Sequence, residues 1–197
     1  MNKELRELAE LCQTINDNWH NHENRDGWKN LRLVPQAAER LRTMPMEGDT
    51  SANNQIEVIS LMLECVDELS IPREVLAIRQ YQLSLYGLLP EGEEPLVPRT
   101  EVERDIRQLE DYVDLSIPTA VWRERYHRHL NFDTVERTEE WEKVICDAEE
   151  ETAKRLGDTP RGMGFCFAYW STLGAVMAEY GIEWCPPSVM NPGVMFD

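Results

Sequence analysis

Lysine and arginine are scarce in this chain, and no stretch of it stays apolar for long. The 20 basic side chains stand against 37 acidic ones, a formal charge of -17 that repels phosphate backbones and anionic headgroups and attracts basic proteins or cations. No nucleic-acid partner is expected. No apolar run approaches the roughly 20 residues of a membrane span. The opening MNKELRELAELCQTI is a charged amphipathic pattern rather than a signal peptide, so a cytoplasmic protein without membrane attachment is expected. Paired cysteines are missing too. Cys12, Cys65, Cys146, Cys166 and Cys185 are widely spaced without a CxxC, which points to reduced, mostly buried thiols. Neither a phosphate-binding glycine loop nor an EF-hand spacing occurs, and no cofactor is expected.

What is present is helical periodicity. With 42% hydrophobic residues, six Trp and six Tyr, a chain of 197 residues buries a core of its own. Leu5, Leu8, Cys12, Ile15 and Trp19 form one apolar stripe, predicting a first helix over about 2–17. A loop follows, then a short helix near Pro35 carrying Ala38 and Leu41. Ile56, Ile59, Leu63 and Val66 mark a third helix, with Leu61, Met62 and Cys65 broadening its apolar surface. Val75 to Leu85 mark a fourth, ended by Gly87, and Val102, Ile106, Leu109 and Val113 a fifth. Val121, Trp122, Tyr126 and Leu130 predict a sixth. After an Asp133/Glu136 cap, Trp141 to Leu156 predict another, and residues from Gly162 to Tyr180 are apolar nearly all round, as in a central helix. The fold class expected is all-α: a multi-helix bundle or a short α-solenoid-like array of helical hairpins. One domain over residues 1–197 is expected, with a proline- and glutamate-rich connector at 90–98 and an extended, non-helical tail at 183–197 that packs back onto the body.

Leu69-Ser70-Ile71-Pro72-Arg73-Glu74-Val75 and Leu115-Ser116-Ile117-Pro118-Thr119-Ala120-Val121 agree at five of seven positions, 46 residues apart. Each joins two amphipathic helices. Serine is expected to cap the new helix and proline to occupy its first turn.

All four histidines fall in two HxH pairs, His20 and His22 in WHNH, His127 and His129 in YHRH. Imidazoles are the commonest metal ligands. Positions i and i+2 diverge by about 200° on a helix, however, so a helical YHRH cannot chelate through both rings. Cys166, just inside a helix start, is the best candidate nucleophile, although a small apolar role is the ordinary one there. Arg161, Tyr169 and Trp170 are candidates to line a small-ligand site at the last helix, with Arg161 offering a guanidinium to an anion. Asp147, Glu149, Glu150 and Glu151 form an acidic helix face suited to a basic protein.

The function expected is an acidic helical protein-binding module, of inhibitor, immunity-type or regulatory kind, for a basic protein partner. An apolar helix face also allows a homodimer. The alternative is a helical enzyme or small-ligand sensor with a pocket between the last helix and the tail, metal-dependent through the HxH pairs. The balance leans away from an enzyme.

Overall fold

The alternating apolar positions read above become helices in the computed structural model, which describes residues 3–20 and 26–196. Among these, nine α-helices and four short 3-10 turns succeed one another without a strand. Within the described residues no helix is long and apolar enough to cross a membrane. The chain divides into two compact units, Met1–Glu110 and Asp111–Asp197.

The first unit holds α1 (Lys3–His20), α2 (Asn30–Thr43), α3 (Ala52–Leu63), α4 (Pro72–Leu85) and most of α5 (Arg99–Val113). Its core is aliphatic: Ile15, Val34, Leu41, Ile56, Ile59 and Val75 are fully enclosed. Helix α1 runs three residues beyond the expected 2–17, because Asn18 stays helical and its amide donates to the side-chain oxygen of Asn30 at 3.1 Å. Pro35 lies inside α2 rather than at its start, since the 3-10 turn Asp26–Lys29 feeds straight into the helix. The connector 90–98 is tethered: the Tyr86 hydroxyl donates to the Val97 carbonyl at 2.7 Å, and the Leu96 N–H donates to Glu57 at 2.5 Å. The division between the units falls within α5, not at this connector.

The second unit holds α6 (Thr119–Arg125), α7 (Glu139–Leu156), α8 (Phe165–Glu179) and α9 (Pro187–Met190). Helices α7 and α8 pack on one another, with Trp141, Ile145, Ala148, Leu173, Val176 and Met177 buried. The Asp133–Glu136 capping box forms, but it opens a 3-10 turn, and Thr138 caps α7. Helix α8 ends as its sequence predicts. Gly181 takes φ +79°, the Ile182 N–H reaches back to the Met177 carbonyl at 3.0 Å, and Ile182 is buried.

Three expectations need correction. Helix α6 stops at Arg125 and does not carry Leu130, which is exposed. Helix α8 is not enclosed: Phe167, Ala168, Ser171, Ala175 and Ala178 face solvent, because hydropathy without a phase cannot say which face is covered. The tail is pinned but not wholly extended. Pro186 and Pro187 open α9, where a missing N–H costs nothing, and Asn131 and Asn191 exchange hydrogen bonds at 2.7 and 2.8 Å.

The two LSIP copies do not build the same corner. Pro72 is the first residue of α4, whereas Pro118 is the N-cap of α6. Neither serine caps the following helix. Ser70 turns its hydroxyl back to Asp67 at 3.0 Å, and the Ser116 N–H donates to Asp114 at 2.9 Å. The aspartate closes an Asx turn in both copies, but it sits one residue nearer the serine in the second.

Candidate binding groove

Only part of the α1 stripe is covered. Leu8 and Ile15 are buried, Leu5 and Cys12 are half-buried, and Trp19 is 40% exposed. Facing them, α3 shows Val58 half-buried and Leu61 61% exposed. Helix α1 packs chiefly on α2, and α3 chiefly on α4, so α1 and α3 touch one another little. Between them lies a groove of about 620 Å³ whose floor is Leu8, Ile15, Leu41, Met62 and Cys65. Its polar margin comprises Gln13, Asn16 and His20 on the α1 side, and Asp49 and Glu64 on the other. Among the described residues no lysine or arginine lines it.

A buried asparagine fixes the groove from behind. Asn30, fully enclosed at the start of α2, donates to the Ile15 carbonyl of α1 at 2.8 Å and to the Cys65 carbonyl just beyond α3 at 2.7 Å. Both acceptors belong to groove-lining residues. On the far side of α3, Gln82 donates to the Ile56 carbonyl at 2.9 Å and to the Ser60 hydroxyl at 2.6 Å. The separation of α1 and α3 is thus held by satisfied polar groups as well as by apolar contact.

The two thiols in the groove are poor nucleophiles. Burial pushes the Cys12 thiol up, and burial followed by the nearby Glu64 carboxylate pushes up that of Cys65. Both stay protonated near neutral pH, and Cys12 sits 3.8 Å from the Met62 sulfur as part of a soft apolar wall. The groove can hold apolar surface.

Apart from His20 at the groove margin and His22 outside the described residues, the site residues singled out from sequence lie elsewhere. Glu149 accepts from the Tyr169 hydroxyl, Glu150 pairs with Lys154 at 2.8 Å, and Glu151 pairs with Arg155 at 2.8 Å. Asp147 is exposed on the same helix. Arg155 also bridges to Glu179 of α8 at 2.8 Å, so this acidic face is partly neutralised within the chain. Arg161 stacks over Phe165 at 5.3 Å, while Trp170 packs edge-on against Phe167 and Phe196 at 5.8 and 5.0 Å. Arg161, Tyr169 and Trp170 therefore serve different neighbours. Cys166 is half-buried in the first turn of α8, and Cys185 donates its backbone N–H to Asp133 at 2.8 Å.

The histidines are dispersed in role. His20 ends α1 at the groove margin, and His22 lies outside the described residues. His127 takes a left-handed conformation, φ 52°, at the end of α6, and the His129 carbonyl accepts from Arg123 at 2.7 Å. Among the described residues no group of three or more His, Cys, Asp or Glu side chains is placed to hold a metal ion.

The spacing that marks the α1 stripe does not say how much of it is covered, so the groove is not legible from α1 alone. The signal is the excess apolar width in and just beyond α3, where Leu61, Met62 and Cys65 extend the apolar surface beyond the face used against α4. No protein-family model matches this chain, and neither does any curated protein or solved structure.

Proposed function

We propose that this chain is an acidic protein-binding module of inhibitor, immunity-type or regulatory kind, and that its partner is a basic protein. The supporting observation is how its charge is spent. Lys3, Lys29, Arg40, Arg99, Lys143 and Lys154 each already lie against a carboxylate of the same chain. Arg79 and Arg137 are buried within their units. Much of the basic charge is thereby engaged within the chain, and the net surplus of acidic groups, 37 against 20 basic, is what an approaching molecule meets. Such a field speeds encounter with a positive partner and repels anionic ones.

A basic partner captured at low salt and released by moderate salt is the expected outcome with tagged protein in extract of its native cell. Affinity for the purified partner should then fall steadily as salt rises, because exposed charges beyond a Debye length are screened. Reversing Glu149, Glu150 and Glu151 to lysine together asks whether the α7 face contributes. An affinity independent of salt would overturn the reading. The small-ligand alternative finds its support in the α1/α3 groove rather than at α8 and the tail, and a rise in melting temperature with an added small molecule would favour it.

A further inference from the structure

We propose that the α1/α3 groove is the docking site for an amphipathic α-helix whose polar flank carries lysine or arginine. This rests on the protein-binding reading above and names where, and with what kind of segment, the partner engages.

Length comes first. The lining residues of α1 run from Leu5 to His20, and at 1.5 Å per residue this is a trough of about 22 Å, the length of about four helical turns. Leu5, Cys12 and Trp19 follow one another at seven-residue intervals along one wall, and Val58 and Leu61 stand on the other. Anchors at i, i+3 or i+4 and i+7 of a docked helix meet such a ladder.

An extended segment would not suit this site. Strand addition needs a row of free backbone N–H and C=O groups, and the groove walls are helices whose backbone groups are already paired along their own axes. A helix brings its backbone satisfied and offers only side chains. The charge of the occupant follows from the margin. Asp49 and Glu64 border the apolar floor, and among the described residues no lysine or arginine lines it, so a basic flank gains there and an acidic one is repelled. A second copy of this chain would bring the same acidic margin and the same charge of -17. The struts at Asn30 keep the trough open before the partner arrives, so little ordering remains to be done on binding.

Fluorescence anisotropy of a labelled leucine/lysine amphipathic peptide of about 15 residues, titrated with the full chain, tests this. A leucine/glutamate peptide with the same apolar face is the charge control. The proposal expects the basic peptide to bind and the acidic one not to. Leu61→Asp and Glu64→Lys should each weaken binding on the order of tenfold, whereas Glu94→Lys, the same charge reversal in the 90–98 connector, should leave it unchanged. Leu61 and Glu64 are both exposed, so their variants are expected to keep the wild-type circular dichroism melt; should Leu61→Asp melt early, Glu64→Lys carries the test alone. Equal binding by all three variants would move the docking site off the groove and leave the protein-binding reading standing. No binding of the basic peptide, by a protein that still captures a basic partner from extract, would sink the groove alone. Failure of both would sink the two together. A wild-type dimer dissolved by Leu61→Asp in sedimentation would give the groove to a second copy, and an apolar dye that the peptide cannot displace would give it to a small molecule.

Discussion

The side-chain amide of Asn30 donates to the Cys65 carbonyl at 2.7 Å, and its nitrogen also reaches the Ile15 carbonyl at 2.8 Å. One fully buried side chain thereby ties α2 to α1 and to the end of α3. A buried carbonyl stripped of its donor bears its desolvation cost uncompensated, about 1 to 3 kcal/mol each. Asn30→Ala should accordingly lose about 2 to 4 kcal/mol in urea unfolding. Asn30→Asp should lose more, because a carboxylate aimed at two carbonyl oxygens either repels them or takes up a proton. Wild-type stability in Asn30→Ala would show that water replaces the amide.

Asn30 also shows what a sequence withholds. Its position in an Asn- and Asp-rich stretch reads as loop, since asparagine favours turns. Nothing local announces two carbonyl partners 15 and 35 residues away. Helix existence was legible, because each stripe is a local pattern of threes and fours and the glycine and aspartate caps are local too. The covered side of each stripe was not legible. Helix α8 is apolar on every side and so has no phase to read, and α1 has a clear stripe but only half of it is roofed. The groove arises from that second case, a relation between α1 and α3 that neither segment contains. The LSIP repeat was legible as sequence and misleading as geometry, because moving the aspartate by one residue changes which residue begins the helix.

Arg137 is the buried hub of the second unit. Fully enclosed, it donates to the carbonyls of Asp111, Tyr112, Asp114 and Ile117 at 3.2, 2.6, 2.7 and 2.8 Å, and to the Thr119 hydroxyl at 3.2 Å. Three of these carbonyls lie at the end of α5, where the helix dipole favours a cation. Burial pushes the guanidinium pKa down, yet this side chain holds its charge in any folded protein. Arg137→Met should cost about 3 kcal/mol or more, since several acceptors lose their donor together. Arg137→Lys should recover only part of this, an ammonium having three donors and no planar fork. The loss would be read from the urea midpoint followed by tryptophan fluorescence. Equal stability of the Lys variant would show that charge alone, not the fork, holds the corner.

Asp111 gives the acid limb of stability a specific contributor. Burial works to raise its pKa, but hydrogen bonds from the Tyr126 hydroxyl, at 2.7 Å, and from Arg125 outweigh it, so the carboxyl is held below its ordinary range. An acid whose folded pKa lies below its unfolded one stabilises the fold fully above the unfolded value of about 4. That contribution disappears as the pH falls through the folded value. Asp111→Asn should therefore lower the melting temperature at neutral pH and flatten its decline on acidification, the two proteins converging at the lowest pH. A variant whose curve stays parallel to wild type would show that the Tyr126 and Arg125 contacts do not favour the ionised form.

His127 does at the end of α6 what a glycine usually does. With φ 52° it lets the Arg128 N–H turn back to the Arg123 carbonyl at 2.8 Å, closing the helix in the manner of a glycine C-cap. A side chain with a Cβ is strained in this region by about 1 to 2 kcal/mol, and glycine is not. Glycine gives some of that back through the greater freedom of its unfolded chain, about 0.5 to 1 kcal/mol. His127→Gly should thus raise stability by up to about 1 kcal/mol in urea unfolding, and His127→Val, branched at Cβ, should lower it. The sign carries meaning for the histidine pair as well. A gain in the glycine variant assigns His127 to chain reversal, where any residue tolerant of positive φ serves. A loss means that the imidazole makes a contact worth more than the strain, and that contact would then be sought by following the His127 ring resonances through a pH titration.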